Sequence, residues 1–213
     1  MLFSCKKPVS YCTENPDDCV DVRKVKEYFY FEHGSYWVYE EENSGMRDSV
    51  YVIETYSDPT SVIFQTRLQS TYNGYDYVYW TTGVDPSVKN NVAKKSVQST
   101  RVIRAKTKPG DFIDEQTCFL FYPREGLETT TSYISGGGVE NYHVGALKIE
   151  SIYDNYSLAG SNFTNVVFIS EEFTSIEEGQ PTNHYYSPNI GLVKKELLDS
   201  NQIWNLVNYH IEN

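Results

Sequence analysis

The sequence predicts a mainly β fold: a single antiparallel curved sheet, half-barrel or barrel, of about ten strands with at most one or two short helices. Three observations predict it. Runs that alternate apolar and polar residues recur from Tyr28 to the carboxy terminus. Turn residues separate these runs at short intervals, so consecutive strands pair antiparallel. No amphipathic stretch is longer than three helical turns.

Composition agrees. Of 213 residues, 39% are hydrophobic and 22% charged, which sets the chain apart from disordered polyampholytes. Tyrosine, at 19 residues, dominates an aromatic fraction of 15%, and tyrosine suits half-buried pleated surfaces. The formal net charge of -11 repels phosphate backbones, so nucleic acid is not an expected partner. No apolar run approaches the roughly 20 residues that a membrane-spanning helix needs.

The elements follow in order. Residues 1–24 are polar and aperiodic apart from their first few positions, and read as a tether. Residues 25–213 read as one antiparallel β domain, with a short helix expected near residues 20–28. Ser35 to Glu41 is a strand, Ser44-Gly45 a turn, and Asp48 to Tyr56 the next strand. In Ser61 to Tyr72, Val62, Phe64, Thr66, Leu68 and Tyr72 point one way while Gln65, Arg67, Gln69 and Thr71 point the other. Asn73-Gly74 then joins this strand to Tyr75–Thr82, because both turn residues tolerate positive φ. Residues 83–95 and 123–132 read as loops. Strands are expected in Ser96–Thr107, Thr117–Tyr122, His143–Tyr153, Asn162–Phe173, Gly191–Leu198 and Gln202–Ile211, with Asp199-Ser200-Asn201 turning between the last two.

The amino terminus carries the first functional signal. Leu2-Phe3-Ser4-Cys5 resembles the lipobox of bacterial lipoproteins, with an apolar residue three before the cysteine and a small residue just before it. The resemblance implies a diacylglycerol thioether on Cys5 and an outer-membrane lipoprotein of the cell envelope, facing the periplasm or the surface. Acyl anchoring contributes about 0.8 kcal/mol per buried CH₂, so several chains hold a folded domain on a membrane. A signal peptide needs a basic region and an apolar stretch of about 7–15 residues, and only four residues precede Cys5, so either the start is truncated or misassigned or the match is accidental. In an oxidising periplasm Cys12 and Cys19, separated by a short loop with Pro16 and two aspartates, are candidates for a local disulfide. Cys118, in an apolar strand, reads as a buried thiol.

Two segments carry a second resemblance. Gly34-Ser35-Tyr36-Trp37-Val38-Tyr39, and Tyr185-Tyr186-Ser187-Pro188-Asn189-Ile190-Gly191-Leu192-Val193-Lys194, are similar to a "G-x-Y-W-x-Y … YY-x-P-x-I-G-L-V-K" pattern in uncharacterised Gram-negative envelope lipoproteins. It covers roughly residues 28–56 and 145–211. Some of these families look like the antiparallel half-barrel of the lipoprotein-sorting factors. Physically the second segment is a hairpin: Pro188 stops pairing and Gly191 permits a close approach.

Catalytic motifs are few. His33, His143, His184 and His210 are scattered, and His184 reads as a strand-end surface residue. The acidic runs Glu40-Glu41-Glu42, Glu171-Glu172 and Glu177-Glu178 read as solvated charge, because adjacent strand residues face opposite sides. No zinc spacing, nucleophile elbow or phosphate loop is present, so no metal, no cofactor and no catalytic residue is expected. Candidate ligand-surface aromatics are Tyr36, Trp37, Tyr75, Tyr77, Tyr79 and Trp80.

These features favour an envelope protein whose concave face holds an apolar or carbohydrate ligand, or an envelope partner, without catalysis. A glycan or lipid hydrolase is the second expectation and would gather two carboxylates, or a histidine with a serine or aspartate, from different strands. A structural or adhesion module would have a filled interior. Asp48-Ser49-Val50 also resembles a short glycosylation site of envelope proteins. Neither the ligand nor the oligomeric state is legible.

Overall fold

The computed structural model describes residue 14 and residues 19–57, 64–72, 76–82, 92–94, 101–107, 115–119, 123–126, 128–135, 141–172 and 180–212. Side-chain surroundings are described chiefly for residues 23–57, 64–72, 146–172 and 180–212.

The alternating runs become strands: β1 (Cys19–Asp21), β2 (Tyr36–Glu41), β3 (Arg47–Ser57), β4 (Phe64–Ser70), β5 (Asp76–Thr82), β6 (Val92–Lys94), β7 (Arg101–Thr107), β8 (Glu115–Phe119), β9 (Glu128–Ser135), β10 (Asn141–Leu158), β11 (Ser161–Glu171), β12 (Thr182–Ser187), β13 (Gly191–Leu197) and β14 (Gln202–His210). Backbone pairing runs antiparallel in the order β10-β11-β12-β13-β14-β2-β3-β4-β5-β7-β8-β9, and β10 closes the ring by pairing β9 along its first half and β11 along its second. Eight consecutive strands, β10 through β14 and then β2 to β4, form a curled half-barrel that holds nearly all of the described core. The expected fold class stands, and the curled half-barrel has eight strands rather than the expected ten or so.

Two strands outside the half-barrel come from segments not read as strands. Val92–Lys94 pairs with Cys19–Asp21 in a separate ribbon, too short to show a two-residue period. Glu128–Ser135 carries three consecutive threonines; it lacks an apolar face, but β-branching suits it to a strand paired on both sides. Curvature comes from β-bulges at Val52/Glu54, Ile149/Ser151, Tyr185/Tyr186 and Leu206/Asn208. The β4–β5 hairpin pairs Gln69 with Asp76 through Gln65 with Trp80, as the Asn-Gly signal requires.

The inner face follows the alternation. Trp37 and Tyr39 on β2, Val52 on β3, Phe64, Thr66 and Leu68 on β4, Trp204 and Leu206 on β14, and Ile169 on β11 are all buried. The space they enclose is filled by chain from the amino-terminal side. Val22–Val25 forms a 3₁₀ turn and Lys26–Phe29 a single helical turn, α1, placing Val25, Tyr28, Phe29 and Phe31 inside. Phe29 packs on Tyr186 at 5.0 Å and Phe31 edge-on to Trp37 at 4.9 Å. Hydrogen bonds fix this plug to both sides of the sheet: Phe31 N–H donates to Thr66 Oγ1 at 3.2 Å, and Tyr28 Oη to the Asn165 carbonyl at 3.2 Å. Burial, with Glu27 nearby, pushes the Tyr28 hydroxyl up to about 12.

The Tyr185–Lys194 segment forms the β12–β13 hairpin. Asn189 and Gly191 both take positive φ, and a Cβ on Gly191 would lie 3.0 Å from Phe31 Cζ. The glycine is therefore the socket for the plug's last ring.

Candidate functional site

Inward and outward faces must be taken separately, since the two-residue period sends neighbours to opposite sides. Trp37 and Tyr36 show the consequence. Trp37, expected as a ligand-surface residue, is only 3% exposed, and its indole N–H donates to the Ile190 carbonyl at 2.6 Å. That corrects the expectation: the indole tethers β2 to the β12–β13 turn. Tyr39 Oη makes the equivalent bond to the Leu192 carbonyl at 2.8 Å. Tyr36 stands outside, 38% exposed.

The remaining predicted residues are placed by backbone alone or not at all. Cys5, Cys12 and Tyr75 lie outside the described residues. Cys19 sits opposite Lys94 in the β1–β6 ribbon. Tyr77, Tyr79 and Trp80 stand opposite Leu68, Thr66 and Gln65 in register, and their side chains are outside the description. Glu177 and Glu178 are likewise outside it.

Inside, the structure places one pair that contradicts the sequence reading. His184 is not at a strand end on the surface, and Glu171 is not solvated charge. His184 Nε2 lies 2.6 Å from Glu171 Oε2, with the two side chains 3% and 1% exposed. The imidazole also stacks on Tyr186 at 6.0 Å. The sequence hides this arrangement because Glu171 and His184 sit on adjacent strands 13 residues apart, both on the inward phase. They come from different strands, as a hydrolase would need. A solvent-excluded pair, however, gives substrate and water no approach among the described residues.

Glu41 is a second buried acid that was read as solvated. Its carboxylate closes the β2–β3 turn, accepting Ser44 N–H at 2.7 Å and Asn43 N–H at 3.2 Å. Hydrogen bonds from Ser44 first, and from Asn43 and Ile203, outweigh burial and push the carboxyl down to about 2.

Outside, two aromatic groups stand on the convex face. The first is a cross-strand row, His210 on β14, Tyr36 on β2, Tyr51 on β3 and Gln69 on β4, each the direct partner of the next. Tyr36 stacks on His210 at 5.8 Å, and Tyr51 Oη donates to Gln69 Oε1. Both tyrosines are more than a third exposed, which makes the row an aromatic shelf with polar ends. The second group is a ladder, with Tyr153 and Phe168 stacked at 6.4 Å and Phe168 and Tyr185 at 4.9 Å. Lys194 Nζ lies 5.3 Å over the Tyr185 ring and 2.5 Å from Glu196. Burial and the Glu196 charge raise the Tyr185 hydroxyl well above the usual phenol range. Burial works to raise the Glu196 carboxyl too, but hydrogen bonds from Lys194 and Asn183 leave it lowered. Lys194 therefore occupies the ladder's own cation position.

No family model matches the chain, and no curated protein matches it. A match among solved structures is a Bacteroides fragilis protein with a YmcC-like fold, named as exported. The two share 11% identity, and the match covers 86% of this chain and 98% of the other at a TM-score of 0.42. That overlap is too loose to carry argument about function.

Proposed function

We propose that this chain is a cell-envelope protein, held to the outer membrane by a lipid on Cys5, that works by binding a ligand without transforming it. The described interior of the half-barrel is filled, as a structural or adhesion module would have it, which corrects the expectation of a ligand on the concave face; what supports binding is the aromatic shelf exposed on the convex face. An apolar ligand inside the half-barrel would have to displace Val25, Tyr28, Phe29 and Phe31, all at most 5% exposed. A ligand on the shelf displaces only water. Supporting the anchor is the Leu2–Cys5 motif, with the polar residues between it and β1 as a tether.

Cell fractionation tests the anchor. The native protein should partition with membranes, and Cys5→Ala should move it to the soluble fraction; membrane retention of the variant would contradict the proposal.

The hydrolase reading draws on one observation, the His184–Glu171 pair. Its burial favours a structural role, since general acid–base work requires reach to a substrate proton. Under the binding proposal, His184→Ala destabilises the fold and abolishes no turnover.

A further inference from the structure

We propose that the convex face carries a pyranose-binding slot between Tyr36 and Tyr51. The inference rests on the binding reading above and names its site and ligand class.

The slot follows from how the two rings lean. Tyr36 and Tyr51 are direct cross-strand partners, a position that brings Cβ atoms within about 4.5–5.5 Å and normally lets rings touch. Here they make no ring contact with each other. Tyr36 turns to β14 and stacks on His210, while Tyr51 turns to β4 and gives its hydroxyl proton to Gln69. Each ring is engaged by its outer neighbour and not by the other, and the proposal assigns the space between the two rings to the ligand.

The gap has a mixed border. Two residues along β2 from Tyr36, on the same outward phase, stands Val38, flanked in register by Asn208 and Ser49. The Asn208 amide and the Ser49 hydroxyl make no hydrogen bond to any described residue. Apolar walls therefore end in an uncommitted donor–acceptor pair on either side of a small apolar floor.

This chemistry selects a class of ligand. A pyranose presents apolar C–H faces to flat rings and equatorial hydroxyls at its rim, matching walls and border together. An acyl chain would leave the amide and hydroxyl without partners beneath it, whereas a sugar's hydroxyls can pair with both. A phosphate or acidic sugar finds no lysine or arginine in the row or its border. Beside the row stands the Glu212 carboxylate, 3.1 Å from His210 Nε2, which disfavours an anion there. A neutral glycan is what remains.

Calorimetry with the full Cys5→Ala chain, titrated with cellohexaose and with chitohexaose, tests the slot. At least one hexasaccharide should bind. Tyr36→Ala and Tyr51→Ala should each weaken it about tenfold or more, or ~1.4 kcal/mol. Tyr153→Ala, in the separate ladder, should leave the affinity unchanged, and circular dichroism should show each variant folded. Absence of binding by both sugars, or saturable binding of lauric acid lost in Tyr36→Ala, would overturn the proposal. Sugar binding that survives both alanine changes would overturn the slot while leaving non-catalytic binding in place. Release of reducing ends from either sugar would instead overturn the binding reading itself.

Discussion

Glu41 and His184 are where single side chains matter to the fold, and each sits in a place that its residue type seldom occupies. The Glu41 carboxyl is held at about 2 against an ordinary 4.5. A depressed carboxyl contributes stability that is present above its unfolded value and lost as pH falls through the folded one. Urea midpoints should therefore drop between roughly pH 4.5 and pH 2, and Glu41→Gln should flatten that part of the profile while lowering stability at neutral pH. An unchanged acid limb in the variant would assign the sensitivity elsewhere. His184→Ala strips the Glu171 carboxylate of a buried partner, so a cost of about 3–5 kcal/mol is expected in equilibrium unfolding. Neither residue's role could be read from sequence. Glu41 lies inside a run of three glutamates that looks uniformly solvated, and only strand phase separates it from Glu40 and Glu42. The partner of His184 is fixed by the β11–β12 register, which no local pattern states.

Among the elements, the plug and its socket decide how the half-barrel is filled. Gly191 carries φ of 89° and receives the Phe31 ring. Gly191→Ala should cost about 1–3 kcal/mol, from strain in the left-handed region together with the Phe31 contact. Phe29→Ala, which empties the space against Tyr186, should cost about 3–5 kcal/mol in the same assay. If either change were neutral, the plug would not be a fixed part of the core. The strands were legible where alternation ran long: Phe64, Thr66 and Leu68 face inward as read, while Tyr72, read on the same side, is exposed because β4 ends at Ser70. The Tyr185–Lys194 hairpin was legible too, because Pro188 and Gly191 have mechanical meanings independent of context. The plug was not, beyond a short helix, since one helical turn has no period to detect. Nor was the outward row, because His210, Tyr36, Tyr51 and Gln69 become neighbours only once four strands are in register.

For the molecule as a whole, the fold divides the work between its two faces. Among the described residues the inner face is occupied by the chain's own Val25, Tyr28, Phe29 and Phe31, and the outer one presents rings and uncommitted polar groups against a net charge of -11. A neutral ligand bound there should show nearly the same affinity from about 50 mM to about 500 mM salt, because no charge pair is screened. Amide chemical-shift mapping of the ¹⁵N-labelled chain during a chitohexaose or cellohexaose titration decides between the faces. The account predicts shifts gathered at Tyr36, Val38, Ser49, Tyr51, Asn208 and His210. Shifts gathered instead at Leu147, Ile149, Ile169 and Val193, which line the filled interior, would contradict it.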